Sequence, residues 1–221
     1  MRIYLKSNMF LLRKRKELKT GLSTARIEAF SDSIFAFAIT LLVLNITIPE
    51  LTRAEALQGD LLASLISQWP KFLSYAMSFA IIGIFWVGHT IMFHYIQRSD
   101  RTLLWLNALL LMFIGFMPFP TNLLGRYAPE MTSVILYGTT LMFAGVLFTS
   151  IWYYATKNKQ LVDKSLSHSV IKNGMTVVLT APVTYAVAVL LAFINPWISL
   201  AIYVIVPILY VLPSAIDDLI E

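Results

Sequence analysis

Arg26, Glu28 and Asp32 stand within seven residues of one another, and the chain then turns apolar as "SIFAFAITLLVLNITIP" (33–49). Ionisable groups at the entrance to such a run could titrate, meet a cation, or anchor a helix. The other candidates for chemistry are three histidines. His89 and His94 are five residues apart, about 140° around a helix, so they do not share a metal-binding face. His168 lies in a basic loop. There is no cysteine, which excludes disulfides, thiolate chemistry and Cys-based metal sites. No nucleophile elbow, phosphate-cradling glycine loop or pair of intramembrane carboxylates occurs. Neither an enzyme nor a cofactor or metal is expected, and an intramembrane enzyme built on Asp32 and His89 has no supporting motif.

The elements that position these residues follow from composition. Of 221 residues, 58% are hydrophobic and only 13% charged, too little charge for the surface of a soluble domain of this length. Six stretches approach the roughly 20 apolar residues needed to cross a bilayer: about 26–48, 71–96, 102–124, 131–155, 173–194 and 197–213. The first is too long for the apolar region of a signal peptide and is read as a retained span. Proline marks span ends at Pro49, "PFPTN" (118–122) and "NPW" (195–197), and Pro207 predicts a kink in the sixth. The sequence thus divides into a basic arm (1–25), a six-helix membrane domain (26–213) and a short acidic tail (214–221). No internal repeat is visible. The stretch 50–70 is expected to hold a short amphipathic helix.

Fourteen Lys and Arg residues fall on one side of this arrangement: eight through Arg26, then Arg98 and Arg101, then Lys157, Lys159, Lys164 and Lys172. Only Arg53, Lys71 and Arg126 fall on the other. The positive-inside bias places both termini in the cytoplasm. The net charge of +5 therefore reflects orientation and lipid contact, including "RKRKELK" (13–19), rather than nucleic-acid binding. Trp69, Trp105, Trp152 and Trp197 lie where an interfacial aromatic belt would, and Gly138 and Gly145 suit close helix approach.

On a helical wheel with Phe37 as origin, Arg26, Phe30, Ser33, Leu41, Leu44 and Ile48 lie within about 40°, with Thr40 at about 60°. Glu28 and Asp32 fall on the opposite side, near 180° and 220°, which directs acid into the bundle. An apolar stripe of this kind faces lipid, another helix or a pore, and an intramembrane carboxylate either holds helices together or works. The wheel alone does not choose.

The segment "RIEAFSD" (26–32) fits the Arg-x-x-x-Phe-Ser-Asp signature that opens the first helix of the transmembrane protein 175 family, the endolysosomal potassium channels and their prokaryotic homologues. "FWVGH" (85–89), Asn107 and "MPFPT" (117–121) follow in the matching order. The resemblance covers about the first 125 residues in recognisable motifs. It implies a channel without the "TVGYG" carbonyl filter, a segment this sequence also lacks. It implies a first helix that lines the pore and, for a chain with one repeat, a homotetramer in the plasma membrane.

Counted from the signature, the family's apolar constriction falls at Phe37, with further rings at Leu41 and Leu44, and the threonine linked to potassium preference at Thr40. Phenylalanine is a departure, because this constriction is usually aliphatic in the family. Arg26, Phe30, Ser31 and Asp32 are implied to anchor the helix, with Trp86, His89 and Asn107 as their partners. The implied activity is potassium permeation with modest preference over sodium, caesium and rubidium also passing. The rival expectation is a proton-coupled carrier titrating at Asp32.

Overall fold

The computed structural model describes residues 23–47, 52, 53, 57 and 60–211. The basic segment 13–19, Ile48, Glu50, Glu55 and the tail 214–221 lie outside these. Every regular element among the described residues is helical, apart from isolated bridge residues such as Ile96, which pairs antiparallel with Val162.

Helix α1 runs Ala25–Leu42 and tightens into a 3-10 turn, Val43–Asn45. These 21 residues rise about 31 Å, matching a hydrocarbon core of roughly 30 Å. A short helix, α2 (Asp60–Ser67), occupies the stretch expected to be amphipathic. It leads through Gln68 into α3 (Trp69–Tyr95), which Pro70 opens because the first-turn N–H it lacks needs no helical partner.

The caps of the next helices are built from side chains. Asp100 accepts from Leu103 N at 2.9 Å to start α4 (Arg101–Phe116). Glu130 accepts from Ser133 N at 2.9 Å to start α6 (Met131–Thr156). The backbone N–H groups of Thr132 and Ser133 hold the Glu130 carboxyl below its ordinary range. Ser167 caps α7 (His168–Ala192), which begins five residues before the expected position. Each cap occupies one of the N–H donors that a helix start leaves open.

"PFPTN" does not end the third span. Met117 keeps helical angles (φ −50°, ψ −37°) and the chain continues as α5 (Pro118–Tyr127). Two prolines are tolerated here because they sit in the first turn of a new helix segment. Among the described residues five helices are long and apolar enough to cross a membrane, α4 and α5 together counting as one. The last, α8 (Pro196–Val211), has 16 residues and spans about 24 Å, shorter than the hydrocarbon core.

The helices pack as one connected bundle, with α4 and α5 resting on α6. Helix α1 lies against α3, α4 and α5, while α6 and α7 form the most extensive pair and α8 closes on α7, α3 and α6. The α6–α7 seam has a specific cause. Pro182 leaves the carbonyl of Val178 without its helical donor, and Thr149 of α6 supplies one at 2.8 Å. A Cβ placed at Gly145 would fall 2.9 Å from Pro182 Cδ, so glycine admits the ring. Tyr203 of α8 presses on Gly138 in the same way and donates to Val134 O at 3.1 Å. Trp152 does not join an interfacial belt. It is buried, its indole donating to Ile171 O at 3.2 Å, whereas Trp69, Trp105 and Trp197 are exposed.

Candidate helix-1 conduction face

Ile27, Ser31, Phe35, Ala38 and Leu42 are the buried residues of α1, at spacings of four, four, three and four. They form one face and meet α3, α4 and α5. The stripe read from the wheel lies away from them. Phe30, Phe37 and Leu44 are 59, 61 and 70% exposed, Ser33 and Thr40 are exposed, and Leu41 is half-buried. Large apolar side chains exposed along a straight line of a membrane helix require a covering of lipid or protein. Thr40 has a particular geometry. Its hydroxyl proton goes to Phe37 O at 2.8 Å, so the oxygen's lone pairs are turned outward.

Polar tethers hold both ends of the buried face. At the N-terminal end, Trp86 Nε1 of α3 donates to Asp32 Oδ1 at 2.9 Å. Beside it, Asn107 Nδ2 of α4 donates to Ser31 Oγ at 2.9 Å, and Asn107 Oδ1 lies 2.9 Å from His89 Nε2. With the amide oriented this way, Oδ1 can only accept, so His89 carries its proton on Nε2. Phe93 stacks on the His89 ring at 4.3 Å between centroids, and Phe35 lies across it at 5.6 Å. The imidazole is 1% exposed. It is a hydrogen-bonding pillar of the α1–α3–α4 contact.

At the other end, Asn45 Nδ2 donates to Pro118 O at 3.1 Å and Asn122 Nδ2 donates to Asn45 Oδ1 at 2.8 Å. Lys71 Nζ reaches Thr47 Oγ1 at 2.9 Å and Gln68 Oε1 at 3.1 Å. Asn45, Thr47, Lys71 and Asn122 were not assigned roles by sequence reasoning. The signal available was Asn45 and Thr47, two polar residues closing an otherwise apolar run.

One sequence expectation needs correction. Asp32 does not carry acid into the bundle; it is exposed at the edge of α1, and Ser31 is the buried member of the pair. The buried face is centred near Ser31 and Ala38, roughly 100° away from Asp32. A carboxylate there accepts the indole N–H at 2.9 Å without being enclosed within the bundle of one chain. Of the four signature residues, Ser31 and Asp32 make side-chain hydrogen bonds to α4 and α3. Arg26 and Phe30 are exposed, with Phe30 on the stripe side.

A cleft of about 870 Å³ opens elsewhere, between α3 and α7, lined by Phe79, Gly83, Phe148, Trp152 and Tyr185. Helix α1 contributes only Ile39 to it. Among the described residues no group of three His, Asp or Glu side chains could hold a metal.

Residues 26–118 match the family described as endosomal/lysosomal potassium channel TMEM175. A potassium channel of Chamaesiphon minutus is 37% identical over 196 residues, covering 86% of this chain and 95% of that protein. A Streptomyces collinus potassium channel is 33% identical over 191 residues, with 85 and 91% covered. The crystal structure of a lysosomal potassium-selective channel TMEM175 homolog from Chamaesiphon minutus superposes with a TM-score of 0.74 at 33% identity, covering 85% of this chain and 95% of that one. The human endosomal/lysosomal proton channel TMEM175 is 32% identical over 144 residues, which are 62% of this chain but 29% of that protein.

Proposed function

The chain belongs to the TMEM175 family, and from that premise we propose that it is a potassium-permeable cation channel whose conduction path is the exposed stripe of α1. The reading assembles four copies around a common axis, so that each stripe residue becomes a ring. Six membrane crossings place both termini in the cytoplasm of the host cell, with lipid around the rest of the bundle. The observation that carries the proposal is the contrast between the two faces of α1. One is fastened at both ends by side-chain hydrogen bonds, and the other leaves Phe37 and Leu44 more than half exposed.

Phe37, Leu41 and Leu44 then form apolar rings. A narrow apolar neck offers a dehydrated ion no replacement ligands, so water and ions leave it together and the path closes. Widening admits a partly hydrated cation. Four Thr40 oxygens supply substitute ligands, because their protons are already committed to the Phe37 carbonyls. Four hydroxyls discriminate less sharply than a stack of carbonyl cages, so the preference for potassium over sodium is modest. The phenylalanine ring is bulkier than the family's usual aliphatic one and closes the neck by turning across it.

The test is the reversal potential of the purified protein in planar bilayers with potassium on one side and sodium on the other. Stepwise currents reversing toward the potassium potential are expected. Thr40→Ala should bring the reversal potential close to zero, and Phe37→Ala should raise the time spent open. Slow, saturable flux without steps, abolished by Asp32→Asn in a folded protein, would favour a proton-coupled carrier instead.

A further inference from the structure

Lys71 is the third residue of α3, in the first turn, where the helix macrodipole is positive and a cation is disfavoured. Its ammonium is fixed by two neutral acceptors, Thr47 Oγ1 at 2.9 Å and Gln68 Oε1 at 3.1 Å. Among the described residues no carboxylate pairs with it, and Glu130, which lies at the same end of the bundle, is engaged by Thr132 and Ser133. Among the described residues the charge is therefore held in place by neutral groups alone; Glu50, Glu55 and the Asp60 side chain lie outside them. Its position is next to the chain that leaves the Leu44 end of the stripe, since Thr47 is three residues beyond Leu44.

We propose that Lys71 is a conductance-determining residue: four ammonium groups, one from each chain, ring one mouth of the pore and repel cations entering from that side. The assignment rests on the pore reading above. Lys71 is carried on α3 behind α1 and reaches forward to Thr47, so the ring is taken at about one helix diameter, roughly 10 Å, from the axis that α1 lines. At that distance, four charges acting through water and screened with a Debye length of about 10 Å at 0.1 M salt lower the local cation concentration about threefold. At 1 M salt the Debye length is about 3 Å and the effect disappears. Current from the Lys71 side should be the smaller one, so the channel rectifies at low salt and becomes ohmic at high salt. A lysine that only tied Thr47 to α3 would produce no such dependence.

The experiment is single-channel recording in symmetrical KCl at about 0.01, 0.1 and 1 M, comparing wild type, Lys71→Gln, Lys71→Arg and Thr47→Ala. Lys71→Gln keeps hydrogen-bonding capacity without charge and should raise the current from the affected side about threefold at 0.1 M, more at 0.01 M and not at 1 M. Lys71→Arg and Thr47→Ala keep the charge and should rectify as wild type does. Equal changes in Lys71→Gln and Lys71→Arg at every salt concentration would overturn the electrostatic assignment in favour of a tether. A conducting wild type whose salt dependence matches Lys71→Gln overturns this assignment alone. A wild type without stepwise current overturns the pore reading and this assignment with it.

Discussion

Asn107 uses its whole amide in one place: the NH2 group holds Ser31 of α1, and the oxygen takes the His89 proton from α3. All three side chains are buried, at 3% exposure or less. Replacing Asn107 by Leu leaves a buried hydroxyl and a buried imidazole N–H without partners, at about 1–3 kcal/mol for each orphaned group. Trp86→Phe breaks the Asp32 bond but leaves an exposed carboxylate that water can serve, so its cost should be much smaller. Thermal unfolding in detergent should therefore rank Asn107→Leu well below Trp86→Phe in stability, and the reverse order would show that the charged contact dominates. The sequence made these five residues visible as a set, through the signature and its downstream matches. Which member of the Ser31–Asp32 pair turns inward was not visible, because that depends on a rotation of about 100° that adjacent residues always differ by. The outer tether through Asn45 and Asn122 was hidden for another reason. It joins residues 77 positions apart, and neither carries a motif.

Elements were easier to read than their contacts. Helices of 18–27 residues betray themselves through unbroken apolar composition, so α1, α3, α6 and most of α7 were legible. Proline was misread twice, once by making 118–122 a terminator and once by passing over Pro182. Both errors have one physical root: the effect of a proline depends on whether something else satisfies the backbone around it. At Pro182 that something is Thr149, whose hydroxyl lies 2.8 Å from Val178 O and 2.9 Å from Gly145 O. Thr149→Val keeps the side-chain shape and removes the donor. It should cost about 0.6–1.7 kcal/mol, the range for hydrogen bonds between membrane helices. Gly145→Ala presses a methyl into Pro182 and should cost about 1–3 kcal/mol, as overpacking does. Because both substitutions act on the same proline, the double variant should lose less than the sum. Additive losses would show that the ring and the carbonyl are independent contacts.

For the whole molecule the central question is what covers the stripe, because a single chain leaves it bare. Residues 37, 40 and 44 are exposed while 35, 38 and 42 are buried within the same turns of α1. Lipid on that face and water on that face predict different chemistry for a thiol placed there. The chain has no cysteine, so every engineered thiol is the only one present. A membrane-impermeant, charged thiol reagent reacts with thiolate in water and very slowly with a thiol in hydrocarbon. If four stripes enclose a conduction path, Cys at 40 or 44 should be modified when the channel is open, and the attached charge should block the current. Cys at 35, 38 or 42 should stay unmodified in any folded channel, since the contact with α3, α4 and α5 excludes the reagent. The reactive positions should recur with the period of an α-helix and lie within the arc that contains Phe37. Uniform protection of 37, 40 and 44 in a conducting protein would put the stripe against lipid and move the path elsewhere. Reactivity on that arc alone, with block, ties the exposed face of one chain to the pore of the assembly. The native mass of the conducting species, expected at about four times 25.0 kDa, then tells how many stripes close the ring.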